Sequence, residues 1–466
     1  VLRGMMAGFV VLLAVGAGIA WQVYQSIGRT PAELLDYVDR RLQGHPKLEW
    51  AAAPFLRVLR VTFEATPQEQ QWATPFEVQL PPPRRGPDEV APPSPVLPGA
   101  TVWRVSKSGP IFRIAEAARL AKPGDVVEIE AGDYRGDVTV WEQSRLTIRG
   151  VGGAARVFAD GRNAEGKAIW VIRHGDFDIA NIDFIGAAVS DRNGAGIRFE
   201  GGRLRLRHCL FWDNEIGLVT SNGDHAVNSH LIVENSEFGY SHVRGHGFGH
   251  NLYVGTIDSV TVTGSYFHHA AMGHLLKSRA KRSDIRYNRF TDEAGGRAAY
   301  EVEFPNGGEV VFVGNTVQQQ RETSNSVMVS IGAEGYTWPV NTVTMVGNTL
   351  VNDHPHGGTF LRVSPGASRV LTANNLLVGM GALQVTDPAT QFNNQEARWR
   401  DLARPMREDY RIASTDGRFA WRQPAEPDAL ARIVAEAQYV HPRRVQPLGM
   451  PPSVVGADQR PGERGE

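Results

Sequence analysis

Eight times along this chain a residue, small or polar in every case but the first, stands two positions before an apolar one, closing a strand-like run. The pairs are Ile182/Phe184, Cys209/Phe211, Ser236/Phe238, Ser265/Phe267, Asn288/Phe290, Asn315/Val317, Asn348/Leu350 and Asn375/Leu377. They lie 23 to 33 residues apart, most often 27, beside alternating runs such as SVTVTGSYF and TVTMVGNTL. Self-similarity at such a period marks a solenoid, and period-2 alternation inside each unit points to short strands joined by turns. Each unit is then one coil of a parallel β-helix, stacked about 4.8 Å from the next. A short Ser or Asn recurring at one turn suits this stacking, because it tolerates the bend and can bond to its counterpart one coil away.

The 50 Gly and 28 Pro supply turns, and 42% hydrophobic content is enough for a long, thin core. A formal net charge of −1 provides no global field to recruit nucleic acid, so a charged partner must meet a local patch. Cys209, the single cysteine, has no disulfide or metal partner of its own kind and reads as a structural thiol.

Residues 4–21 carry no charge, and the uncharged run continues to Gly28. About 20 apolar residues span a bilayer, so 1–28 is expected to be a membrane anchor, with a cleaved signal before Trp21 as the alternative. Either segment implies export. The expected location is the bacterial envelope, anchored in the inner membrane and facing the periplasm, or else secreted. Residues 29–80 are expected to be a helical stalk region, with Thr30 capping TPAELLDYVDRRLQG. The Pro-rich 81–99 reads as an extended linker, and 100–390 as the β-helix, with a short helix over Phe112–Leu120 closing its open end. A C-terminal cap is expected over 391–441, then a disordered tail over 442–466.

The runs AKPGDVVEIEAGDY, LTIRGVGG and DFDIANIDFIGA resemble the opening of pectate-lyase-like right-handed parallel β-helix proteins, especially the alginate lyase and chondroitinase B type. The resemblance covers roughly residues 100–390. It implies a right-handed coil and a polysaccharide, uronate-containing, as partner. In that type a Lys is the base, an Arg one coil later the acid, and calcium neutralises the substrate. Here Arg279 stands at the lysine position and His274 at the glutamate position, while Phe304-Pro305-Asn306-Gly307 replaces the Arg-His-Gly segment. The calcium ligands are not carried over, so neither cofactor nor metal is expected.

Aligning coils by alternation sets His250–Gly255, His274–Arg279 and Tyr300–Pro305 in register. Leu252, Leu276 and Val302 then form an inward column. The neighbours are expected to point outward, Asn251, Leu275 and Glu301 in one file and Tyr253, Lys277 and Glu303 in the other. The second file extends to Arg198, Val219, Tyr253, Lys277, Glu303, Ser330, Arg362 and Gln384. A phenol, an amine and a carboxylate on successive coils can couple their protonation states, with Glu303 favouring the charged form of Lys277. His242, His246, His268 and His269 add to the density of this region, although GHGFGH is too glycine-broken to be a helical metal site.

Such a groove suits an acidic polymer, which guanidinium and imidazole groups hold by its carboxylates. Lys277, Tyr253, Glu303, Arg279 and His274 are the candidate catalytic residues, and His250, Asn251, Glu301, Arg297, Asn306 and Arg198 the candidate substrate contacts. The expected activity is β-elimination or C5-epimerisation: Arg279 or His274 neutralises the uronate, Lys277 takes the C5 proton, and Tyr253 acts as acid. The alternatives are glycoside hydrolysis by the pair Glu301 and Glu303, and a non-catalytic polysaccharide-binding envelope protein.

Overall fold

The computed structural model describes residues 76–78, 80–223, 226–244, 248–321, 323, 325–423 and 433–460, with positions 52 and 56. The expected anchor, nearly all of the stalk, and His246 lie outside the described residues. Among the described residues, no helix is long and apolar enough to cross a membrane.

The chain winds as a parallel β-solenoid of about ten turns. Three ladders run its length. One contains His230–Glu234, Ser259–Thr263 and Arg282–Arg286. A second contains Glu237–Ser241, Tyr266–Ala270 and Arg289–Thr291. The third contains His250–Val254, His274–Ser278 and Tyr300–Phe304. In the first coils, long strands such as Ala168–Ala180 and Ala195–Arg207 turn a corner and serve two ladders.

The repeated phrase explains the stack. Its aromatic members lie face to face inside the coil: Phe184 on Phe211 at 5.0 Å, Phe211 on Phe238 at 4.4 Å, and Phe238 on Phe267 at 4.8 Å. Each fully buried ring contributes roughly 1.5–3 kcal/mol of transfer free energy. Its turn members form a hydrogen-bonded column. The backbone N–H of Asn288 donates to Asn315 Oδ1 (2.9 Å), that of Asn315 to Asn348 Oδ1 (2.8 Å), and that of Asn348 to Asn375 Oδ1 (2.9 Å). The column continues one coil further than the sequence phrase, to Asn394. Cys209 is fully buried in the same column, and burial pushes its thiol up to about 11, as a structural thiol requires.

One expectation fails at a corner of every coil. Asn251 and Leu275 are wholly buried, as is Glu301, so this file faces the core rather than solvent. The third ladder skips these positions, pairing 250 and 252 but not 251 with its neighbours. The pleat is broken there, so two successive side chains turn inward and strict alternation no longer holds. The space is tight: a Cβ added to Gly217, one coil before Asn251, would sit 2.3 Å from the Asn251 carbonyl oxygen.

The open end is closed by the helix Ile114–Leu120, whose first N–H groups donate to Asp137 (Ile114 N to Oδ2, 2.6 Å). The Pro-rich stretch, extended apart from a 3-10 turn at Pro87–Glu89, lies along the coils. Arg85 forms a buried ion pair with Asp183, and the Ala91 amide donates to Asn181 Oδ1 (2.7 Å). The tail expected to be disordered instead folds back as far as Arg460. Arg443 pairs with the buried Glu237 (3.0 Å), Val455 is buried, and the Gly456 amide donates to the Asn374 carbonyl (2.9 Å).

Candidate functional site

The outward file of the third ladder is in the register expected from alternation. Arg198, Val219, Tyr253, Lys277, Glu303, Ser330, Arg362 and Gln384 are successive Cα partners. At its centre the side chains meet. Lys277 Nζ lies 2.9 Å from Glu303 Oε2, and His274 Nε2 lies 3.2 Å from the same oxygen. Arg279 Nε donates to the Tyr253 phenol oxygen (3.1 Å), and Arg279 also bonds Asn306 Oδ1. Each residue arrives on a short strand or the turn just after it, so backbone spacing rather than a long flexible reach sets these distances.

A second file sits beside the first. The rings of His250 and His274 stack at 4.9 Å with 10° between planes, and His274 stacks on Tyr300 at 5.3 Å. The His274 amide donates to His250 Nδ1 (3.1 Å), so a neutral His250 carries its proton on Nε2. Burial holds His250 well below the usual imidazole range, and the neighbouring His274 and Lys277 add to the effect. Burial likewise lowers His274, against the pull of Glu303.

Burial alone would raise the Glu303 carboxyl, but the His274 contact and the Lys277 ammonium overcome it and hold it at about 2. Because His274 is itself lowered, Lys277 is the charge that keeps Glu303 ionised. For Lys277, burial works downward, yet Glu303 and Glu334 outweigh it and the net direction is up. The amine is therefore an ammonium at neutral pH, as the pairing with Glu303 suggested.

Glu334 is the functional candidate that sequence reading missed. Its carboxylate spans Lys277 Nζ (3.1 Å) and the Arg279 guanidinium (2.7 Å) at the lip of the groove. Its side chain is 45% exposed, against 12% and 17% for the two cations. The available signal was spacing: Asn315 and Asn348 are 33 residues apart where the spacings on either side are 27. The extra residues form the loop that carries Glu334.

The other expected contacts divide. His250 and Asn306 join the cluster, and Arg198 shares its file two coils away. Asn251 does not; its amide nitrogen donates to the Phe238 and His268 carbonyls (3.1 and 2.8 Å), tying two walls of the coil from within. Glu301 is also interior. Gln319 donates to it (3.3 Å), and burial together with the charge of Asp292 pushes its carboxyl well above the usual range. The Glu301/Glu303 pair expected for hydrolysis is thus split across the sheet. Arg297 lies over the Phe76 ring (5.6 Å), and His242 is 5.4 Å from the same ring. Among the described residues, no group of three or more His, Cys, Asp or Glu is placed to hold a metal ion. A separate cleft of about 570 Å³ lies between the second ladder and the C-terminal segments, lined by Arg289, Glu293, Glu408, Tyr439 and His441.

No family model matches the chain, and no curated protein matches it. Among solved structures it is similar to one described as "Crystal structure of pectate lyase Pel9A". The match spans 78% of this chain and 98% of that one, at 13% identity and a TM-score of 0.47. The strand register itself makes this chain a parallel β-helix, its successive coils stacked in three parallel ladders.

Proposed function

We propose that this β-helix binds an acidic polysaccharide along the outward file of the third ladder and acts on its uronate residues by abstracting the C5 proton. The observation that carries this reading is the contact set Tyr253–Arg279–Lys277. A phenol oxygen rests on a guanidinium (3.1 Å), with the Lys277 ammonium 5.9 Å from the same phenol ring. Two cations, Lys277 near the end of its strand and Arg279 just past it, neutralise a uronate carboxylate, which stabilises the charge that develops when C5 loses its proton. Negative charge on the Tyr253 oxygen would meet Arg279 at once.

The ionised state of Lys277 changes the roles expected from the sequence. An ammonium has no lone pair for a proton, so Lys277 moves from base to carboxylate cradle, and Tyr253 becomes the proton-transfer group. In elimination Tyr253 acts as a phenolate held by Arg279: its oxygen takes the C5 proton, the C4–C5 double bond forms, the C4–O bond breaks, and the resulting phenol returns the proton to the leaving oxygen. In epimerisation a proton returns to C5 from the opposite face. Buried Glu303 holds Lys277 and His274 in place. Export to the cell envelope, anchored or secreted, belongs to the same proposal and rests on the uncharged run at 4–21.

The test is a panel of uronate polymers incubated with the full chain in deuterated water. It is read by near-ultraviolet absorbance of an unsaturated uronate and by deuterium at C5. Tyr253→Phe should abolish both signals, whereas Lys277→Ala should raise KM far more than it lowers kcat. Loss of kcat in Lys277→Ala with activity retained in Tyr253→Phe would return the base to Lys277. Reducing ends released without either signal would indicate hydrolysis.

A further inference from the structure

We infer that the Glu334 carboxylate is a resident stand-in for the substrate's own carboxylate, and that it sets the selectivity of the groove by making each uronate displace it. The inference rests on the uronate reading above and concerns the same site.

Three observations converge on it. Glu334 makes the contacts a bound carboxylate would make, with one oxygen on Lys277 Nζ and Arg279 Nη2 (3.1 and 3.0 Å) and the other on Arg279 Nη1 (2.7 Å). Such two-pronged, charge-assisted bonding is how guanidinium recognises carboxylates generally. The two cations are mostly buried while Glu334 is nearly half exposed, so the carboxylate closes the site from the solvent side, where a polymer would approach. The loop under it is pinned. The Glu334 amide donates to the Pro305 carbonyl (3.0 Å), Tyr336 Oη to the Ser364 carbonyl (2.7 Å), and Trp338 Nε1 to the Arg279 carbonyl (3.1 Å). Displacement therefore needs only a rotation of the Glu334 side chain, with the loop backbone and the cradle left in place.

The consequence is discrimination. A neutral sugar offers nothing to exchange for Glu334 and leaves both cations satisfied. A uronate replaces one carboxylate with another and keeps the charges balanced, with Glu303 still paired to Lys277 beneath. A polymer presenting several contacts along the ladder pays for the exchange more readily than a single sugar.

The experiment is calorimetric titration of the full-length protein at low ionic strength, because salt screens the exposed carboxylate. The probes are polygalacturonate, monomeric glucuronate and a neutral glucan. Glu334→Gln and Glu334→Ala should bind both uronates about tenfold tighter, the scale of a charge-assisted contact at a half-exposed site. The neutral glucan should not change, and adding Arg279→Ala to Glu334→Gln should remove the gain. Unchanged or weaker uronate affinity in both single variants overturns the inference. So does a gain that survives Arg279→Ala, or the absence of uronate binding in every variant. Tighter uronate binding without exchange at C5 would leave this inference standing and defeat the proposed chemistry, whereas C5 exchange with unchanged affinity would do the reverse.

Discussion

Glu301 and Glu303 lie on one strand, two residues apart, and the fold gives them opposite lives. Glu303 faces the groove, 5% exposed at its side chain, and Lys277 keeps it ionised. Glu301 faces the core beside Asp292 and accepts from Gln319, while its Oε1 has no hydrogen-bond partner among the described residues. In a regular strand residues two apart share a face, so the pair would look like a catalytic dyad. The corner at position 301 breaks that rule. A carboxylate becomes useful through the cation beside it and solvent within reach, and burial one corner away favours the protonated form of the same side chain.

The comparison breaks most visibly on removal. Glu303→Ala leaves the Lys277 ammonium, 12% exposed, without its buried partner. Stranding one member of a fully buried pair costs about 3 kcal/mol, and Glu334, which stays on Lys277 at 3.1 Å, keeps the loss somewhat below that. Equilibrium denaturation should show that loss together with loss of any turnover. Burial favours the protonated form of Glu301, so Glu301→Gln, an amide of the same size, should shift stability by less than about 1 kcal/mol. Equal losses in the two variants would mean that Glu301 is also ionised.

Acid and alkali should separate the two sides of the sheet. Glu303 titrates at about 2 when folded against 4.5 for an ordinary glutamate, so its stabilisation is present above pH 4.5 and is lost as pH falls toward 2. Asp292, raised by burial to about 8 from 3.8, behaves in the opposite sense. The unfolded chain ionises first, so stability declines as pH rises from about 4 to about 8, and Glu301 moves in the same direction. Asp292→Asn should flatten the alkaline limb of a denaturation-versus-pH curve, and Glu303→Gln the acid limb. An alkaline limb unchanged in Asp292→Asn would show that the interior acids do not control it.

These contrasts mark what the sequence could reveal. The eight-residue outward file was readable because a strand has period 2 and the coils differ by a countable offset; every member, from Arg198 to Gln384, is in register. The corner was not readable, because alternation assumes an unbroken pleat and Asn251 looks the same whether it bonds a sugar or two interior carbonyls. Glu334 was hidden in the longest coil, whose extra residues carry no periodicity. The docked 81–98 segment and the folded tail were hidden by composition: Pro and Arg suit a solvated chain, and only the fold puts Asp183 opposite Arg85 and Glu237 opposite Arg443.

The smallest effect sharpens the corner itself. Asn251→Leu makes this coil match the next one, where Leu275 occupies the same place fully buried. It removes two hydrogen bonds to the Phe238 and His268 carbonyls, each worth about 1 kcal/mol net. It also removes an interior amide oxygen, Asn251 Oδ1, that has no partner among the described residues, and adds apolar contact. These terms nearly cancel, so the variant should differ from the parent by no more than about 1 kcal/mol in denaturant. Its affinity for polygalacturonate should not change, because the side chain never reaches the groove. Weakened binding at unchanged stability would mean instead that Asn251 faces the polymer, as uninterrupted alternation requires.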